Sequence, residues 1–141
     1  SSYTATVTAS DGVNSTTQSI TVSVTDVNDN SPVFTSSATF TAAENQTAIG
    51  TVTATDADGD AVTFIVSGSE LAITSAGVLT FASAPDYETK SSYTATVTAS
   101  DGVNSTTQSI TVSVTDVNDN SPTLPTCSNF TAAAADESIE T

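Results

Sequence analysis

The chain has 141 residues and a formal net charge of −15, with sixteen Asp and Glu against one basic residue, Lys90. Such a surface cannot neutralise phosphates, which excludes nucleic acid and anionic lipid and leaves cations as the natural partners. No apolar run approaches the ~20 residues of a membrane span, no signal peptide is visible at the start, and one Cys allows no internal disulfide framework.

Residues Ser1 to Pro32 read SSYTATVTASDGVNSTTQSITVSVTDVNDNSP and recur letter for letter from Ser91 to Pro122, an offset of 90 residues. The offset continues more weakly beyond. ATFTAAENQTAIGT, from Ala38 to Thr51, lies over SNFTAAAADESIET, from Ser128 to Thr141. The chain thus reads as the C-terminal part of one repeat (1–31), a complete repeat (32–121) and the first strand of a following repeat (122–141). A fragment of a longer tandem array is expected. The first segment should expose its inner face until strands from elsewhere in the chain or from another copy cover it.

Within the complete repeat the apolar residues alternate. Val52 and Ala54 come first, then Val62, Phe64 and Val66, then Tyr93, Ala95, Val97 and Ala99, then Ile110, Val112 and Val114. Threonines fill many of the outward positions, where a β-branched side chain suits a strand. Turn signals separate the runs: Ala57-Asp58-Gly59, Ser67-Gly68, Ala76-Gly77, Asp101-Gly102 and Asn120-Ser121-Pro122. No helical period occurs. The pattern predicts an all-β fold, an antiparallel Greek-key β-sandwich of immunoglobulin type with about seven strands per repeat.

The acidic residues gather in turns and junctions. They are Asp11 in ASDGVN, Asp26 and Asp29 in DVNDN, Glu44 in AEN, and Asp56, Asp58 and Asp60 in TDADGD. Asp86 and Glu88 in DYE, Asp101 in the second ASDGVN, and Asp116 and Asp119 in the second DVNDN complete the set. Any one motif reads equally well as an ordinary solvated turn. As a group without Lys or Arg they repel one another, and a hard divalent cation would relieve that. Calcium takes six to eight oxygen ligands of the kind Asp, Asn and Glu supply. Zinc would ask for His or Cys, and the chain has no His.

Asp116-Val117-Asn118-Asp119-Asn120-Ser121-Pro122 resembles the DxNDNxP interdomain linker of the cadherin family, as does the earlier Asp26 to Pro32. Asp56-Ala57-Asp58 resembles its DxD motif and Asp86-Tyr87-Glu88 its DYE motif. Glu44 resembles the Glu of its first strand, and Asp101 its later single Asp. The motifs fall in the family's order across one repeat. The resemblance implies calcium ions held between domains, and it sorts the ligands. At the first junction it implies Asn28, Asp29 and Asn30 with Asp56, Asp58 and Asp101. At the second it implies Glu44, Asp86, Glu88, Asn118, Asp119 and Asn120, while Asp11 would face a still earlier junction. Three features depart from the family. Pro85 stands before DYE, the DxD loop lacks an Asn-containing segment, and Ala134 lies opposite Glu44. Asp60 reads as a turn residue.

The function expected is that of a calcium-dependent structural or adhesive rod segment outside the cell, with Ca²⁺ stiffening the junctions. Its partners would be neighbouring repeats or further copies, assembling into a fibre or meeting a homophilic or glycan ligand. The alternative is an accessory carbohydrate-binding module of a secreted enzyme. No catalytic activity is expected. Asp86 and Glu88 would be a glycosidase pair only in a cleft. Asn14, Asn45, Asn104 and Asn129 each begin an Asn-x-Ser/Thr glycosylation triplet. Cys127 reads as a small half-buried residue, with an interchain disulfide as the other reading.

Overall fold

A computed structural model describes residues 1–124; Cys127, Asn129 and Ala134 lie outside them. Among the described residues every element is a strand, so no helix is long and apolar enough to cross a membrane.

The first copy of the repeated sequence forms a separate two-stranded hairpin, β1 (Ser2–Ser10) and β2 (Ser15–Ser23). The sandwich follows as β3 (Val33–Phe34), β4 (Thr39–Ala43), β5 (Ala48–Thr51), β6 (Ala54–Thr55), β7 (Thr63–Val66), β8 (Leu71–Ile73), β9 (Val78–Phe81), β10 (Ser92–Ser100) and β11 (Ser105–Thr115). One sheet runs β4-β11-β10-β7 and the opposing one β5-β9-β8, with β3-β6 as a short pair.

There are more strands than the expected seven because two long ones are broken. β3 pairs with β6, and after a short break the chain crosses over so that β4 pairs with β11. β5 and β6 are split likewise around Val52 and Thr53. The breaks are stitched together, since Thr35 N–H donates to the Thr53 carbonyl at 2.8 Å and the two hydroxyls lie 2.8 Å apart. Breaking a strand lets one segment serve two sheets without leaving backbone groups unpaired.

The sandwich is antiparallel as expected except that β4 runs parallel to β11. β4 leaves the first linker and β11 leads into the second, so both run the same way along the repeat. The register pairs Ala43 with Thr115. Glu44 and Asp116, the next residue of each strand, are therefore carried to the same end. At the opposite end, Thr63 of β7 pairs with Ser100 of β10, which brings the DADGD loop beside Asp101.

The core holds Val52, Phe64, Leu71, Leu79, Phe81, Val97, Ala99, Ile110, Val112 and Val114. Gly77 closes it from the loop before β9. A Cβ there would stand 2.2 Å from the Val52 carbonyl oxygen, and the residue's φ is +91°. Only glycine fits both requirements.

The duplicated sequence is its own control. β1–β2 and β10–β11 share one register, with Ala5 opposite Ile20 and Ala95 opposite Ile110. Ile110 is 1% exposed and Ile20 39%. Val97 is 0% exposed and Val7 52%. Identical residues make identical hairpins, and only the second has a sheet packed against it. Ile110→Ala should cost the sandwich about 3 kcal/mol, whereas Ile20→Ala should leave its unfolding within about 0.5 kcal/mol; urea melts followed by core fluorescence or circular dichroism compare the two.

Candidate metal centre

Two groups of carboxylates form at the two ends of the sandwich. At the first linker, one oxygen each from Asp56, Asp58 and Asp60 lies within 4.8 Å of the others. At the second linker, Glu44, Glu88 and Asp116 converge within the same distance. The only Lys or Arg, Lys90, is elsewhere: its ammonium pairs with Glu70 and lies 4.5 Å from the centre of the Tyr93 ring. The protein has no cation of its own to put into either group.

Hydrogen bonds shape the first group. Asp58 Oδ2 accepts the backbone N–H of Asp29 at 3.1 Å and of Asn30 at 2.9 Å. Its Oδ1 accepts the Asn30 side-chain amide at 2.7 Å. Asp58 thereby anchors the linker, and the Asn30 N–H above all holds its carboxyl below the usual range. Asp56 Oδ1 accepts the Asp58 N–H at 2.9 Å, closing the turn. Asp56 Oδ2 is buried and has no hydrogen-bond partner. An orphaned buried carboxylate oxygen calls for a partner from outside the chain, an ordered water or an ion.

Asp101 is desolvated, which pushes its carboxyl upward. The N–H groups of Asn104 and Val103, at 2.6 and 2.7 Å, outweigh that and leave it lowered. Asp60 has no such donors. Desolvation first, then the charges of Asp56, Asp101, Asp58 and Asp26, push it up. Asp60 therefore belongs with the carboxylates of this group, although its place in a Gly-containing turn reads from sequence as a turn residue. The first-junction residues Asn28, Asp29, Asn30, Asp56, Asp58 and Asp101 are all brought together, with Asn28 held by the Asn104 amide at 2.9 Å.

The second group is built around Glu44, which is 3% exposed. Its Oε1 accepts Val117 N–H at 2.7 Å and its Oε2 accepts Tyr87 N–H at 2.8 Å. One buried carboxylate thus ties the DYE loop and the linker to the end of β4. Asn45 adopts a φ of 62°, and its amide donates to Asp119 Oδ2 at 2.6 Å. Glu88 is pulled down by its own backbone N–H, but desolvation and the Glu44 charge leave it raised, with the Asn120 side chain as a further neighbour.

Two expected ligands also cap turns of their own. Asp86 Oδ2 accepts the Thr89 hydroxyl at 2.9 Å and its Oδ1 accepts the N–H groups of Glu88 and Thr89, while its carboxyl lies beside that of Glu88. Asp11 caps the β1–β2 turn, accepting Val13 and Asn14 N–H at 2.9 and 2.7 Å. Asp116, which was not singled out from its motif, takes the place beside Glu44 and Glu88. The signal the sequence offered was its place as the first acid of the DVNDN linker, directly after an alternating strand run. Asn118 lies exposed on the linker. Of the described glycosylation triplets, Asn45 and Asn104 have their amide nitrogens engaged by the linkers.

The residues fit a hard cation. They offer carboxylate and carbonyl oxygens, no nearby base of the imidazole type, and one orphaned buried oxygen.

Residues 28–115 match the bacterial Ig domain family. The chain belongs to that family. It is a cadherin-like repeat: human Protocadherin Fat 4 is 42% identical over 118 residues, covering 75% of this chain and 2% of that protein. Human Cadherin EGF LAG seven-pass G-type receptor 1 is 33% identical over 135 residues, covering 87% of this chain and 4% of that protein. Among solved structures, the protocadherin gammaB7 cis-dimer aligns with a TM-score of 0.74 at 32% identity, over 89% of this chain and 36% of that one. Drosophila N-cadherin aligns with a TM-score of 0.67 at 27% identity, over 82% of this chain and 32% of that one. The cadherin-like repeat thus spans between 2% and 4% of the length of these two curated relatives. The fold is the Ig-like β-sandwich of the cadherin domains.

Glu44→Ala in the absence of divalent ions should destabilise the repeat by about 2 kcal/mol. Two N–H groups lose their acceptor, and relief of the repulsion among Glu44, Glu88 and Asp116 returns part of that. Chemical denaturation in EGTA measures it.

Proposed function

We propose that this chain is a load-bearing segment of an extracellular adhesive rod, and that calcium ions at the junctions between repeats stiffen it. The observation that carries this reading is the buried Asp56 Oδ2, left without a partner inside a carboxylate group that no basic residue approaches. Asp56, Asp58, Asp60 and Asp101 with Asn28 and Asn30 would hold an ion at the first linker. Glu44, Glu88 and Asp116, joined by Asp119 and Asn120, would do so at the second. Asp86, beside Glu88, would belong to the second site as well as to its own turn, and Asp11 would face an earlier junction. The ion would supply positive charge; the chain supplies the oxygens and fixes the linkers against both ends of one rigid sandwich.

The segments 1–31, 32–121 and 122–141 would be successive repeats, so neighbouring repeats are the first partners, and contact with further copies would follow from the adhesive role. The chemistry needed is structural, and no nucleophile–base pair is part of it. Half-buried Tyr93 packs edge-on against Phe81 at 5.0 Å, which argues against its serving a sugar platform.

Extracellular calcium modules bind at about 10⁻⁴–10⁻³ M. A ten-fold excess of ion over Kd should add about 1.4 kcal/mol per site. The thermal midpoint of the chain should therefore rise with millimolar calcium and return with EGTA, while scattering shows a longer particle in calcium. An unchanged midpoint and length would sink the reading.

The pH dependence has a definite sign. Asp60 and Glu88 hold their protons to higher pH than ordinary carboxyls, and a bound proton competes with the ion. Calcium affinity should fall as pH drops towards the carboxyl range. Asp58 and Asp101 have lowered folded values. Their contribution to stability is present above the unfolded value of about 3.9 and is lost as pH falls through the folded one. Calorimetric titration at a series of pH values tests the first statement, and acid unfolding in EGTA the second.

A further inference from the structure

We propose that Asn104 is a positioning residue that keeps the incoming linker docked on the sandwich when no divalent ion is present, its side-chain amide standing where positive charge is needed. The claim about the ion-free linker stands on hydrogen bonds alone; its contrast with the calcium-loaded state rests on the reading above.

Asn104 Nδ2 is the meeting point of the linker and the loop after β10. It donates to Asn28 Oδ1 at 2.9 Å and to the Asn30 carbonyl at 3.0 Å. The Asn28 carbonyl at 3.5 Å and Asp101 Oδ2 at 3.4 Å lie around the same nitrogen. All are oxygens that a hard cation would also accept. Two N–H bonds serve the two nearest linker oxygens, and the amide's positive end faces the others without adding net charge. The amide is aimed by its own residue. Asn104 N–H donates to Asp101 Oδ1 at 2.6 Å, and Asn104 carbonyl accepts the Asp101 N–H at 3.2 Å and the Ser100 hydroxyl at 3.1 Å. The loop is therefore set before the linker arrives.

The consequence is a joint that is not slack at zero calcium on its downstream side. Asp29 and Asn30 N–H stay on Asp58 because Asn104 holds the linker from the other side. An ion that takes Asn28 Oδ1 and the Asn30 carbonyl must first turn the Asn104 amide away from them.

The test is NMR amide exchange of Asp29 and Asn30 in the 141-residue chain. In EGTA, Asn104→Ala should speed exchange of both amides roughly ten-fold, and Asn104→Asp should speed it further, since a carboxylate cannot donate to these oxygens. Asn28→Ala, a change in the linker that leaves the sandwich intact, should reproduce part of the Asn104→Ala effect. The Val97 and Val112 amides should exchange as in the unmodified protein, which reports that the core is folded. In millimolar calcium the Asn104→Ala protein should regain protection. If Asn104→Ala and Asn28→Ala leave exchange in EGTA unchanged, the proposal is overturned. If the difference in EGTA is present and calcium protects neither protein, the clasp stands and the calcium reading fails.

Discussion

The repeat depends on how a chain with one basic residue places carboxylates next to each other. Nothing in the sequence can neutralise them, so the structure surrounds them with N–H donors. Glu44 takes two backbone N–H groups, Asp58 takes two and an amide, and Asp101 takes two. These donors are neutral. They satisfy hydrogen-bonding capacity and leave the charge. Asp60 and Glu88, desolvated beside neighbouring carboxylates, carry the consequence as raised proton affinity. The uncompensated charge therefore sits at both ends of the sandwich and not in its middle.

The middle of the sandwich holds none of those groups. Its core is aliphatic and aromatic, closed by Leu79, Ile110, Val97 and Val112, and the strand centres carry almost no charge. Division of labour follows from this. Burial sets the stability of the body, and electrostatics set the conformation of the linkers. On the proposed function, a change in ions would alter the joint without unfolding the sandwich.

Local patterns were legible in the sequence because they are decided locally. The Thr/apolar alternation gives β10 and β11, and the ASDGVN turn closes in the same way at Asp11 and Asp101 although one hairpin is exposed and the other buried. What the sequence could not show depends on what packs against what. The exposed face of β1–β2 has the same residues as the buried face of β10–β11. The parallel pairing of β4 with β11 follows from the path of the chain between linkers, and no residue in either strand signals it. Asp86 and Asp116 lie in equally suggestive motifs. Only the fold brings Asp116 beside Glu44 and Glu88 and sets Asp86, which also caps its own loop, next to Glu88. Asn104 looked like part of a glycosylation triplet, and its bonds to the linker span residues far apart in sequence.

The two linkers are the same sequence seen from opposite sides. The copy at Asp26 to Pro32 is held by the domain that follows it, through Asp58 and Asn104. The copy at Asp116 to Pro122 is held by the domain that precedes it, through Glu44 and Asn45. Different atoms of the motif are used. The preceding domain takes the Val117 N–H and the Asp119 carboxylate, whereas the following one takes the N–H groups of Asp29 and Asn30 and the oxygens of Asn28 and Asn30. The two sets meet at the side-chain amide of Asn30 and of its counterpart Asn120, which serves Asp58 at the first linker and Glu88 at the second; an amide has two N–H groups, so one linker can satisfy both neighbours at once. A joint between two such repeats would then gather Glu44, Glu88 and Asp116 on one side of the linker and the Asp56, Asp58, Asp60 and Asp101 set on the other. Each set is already short of positive charge by itself, so joining them raises the demand for a cation without any new residue being required.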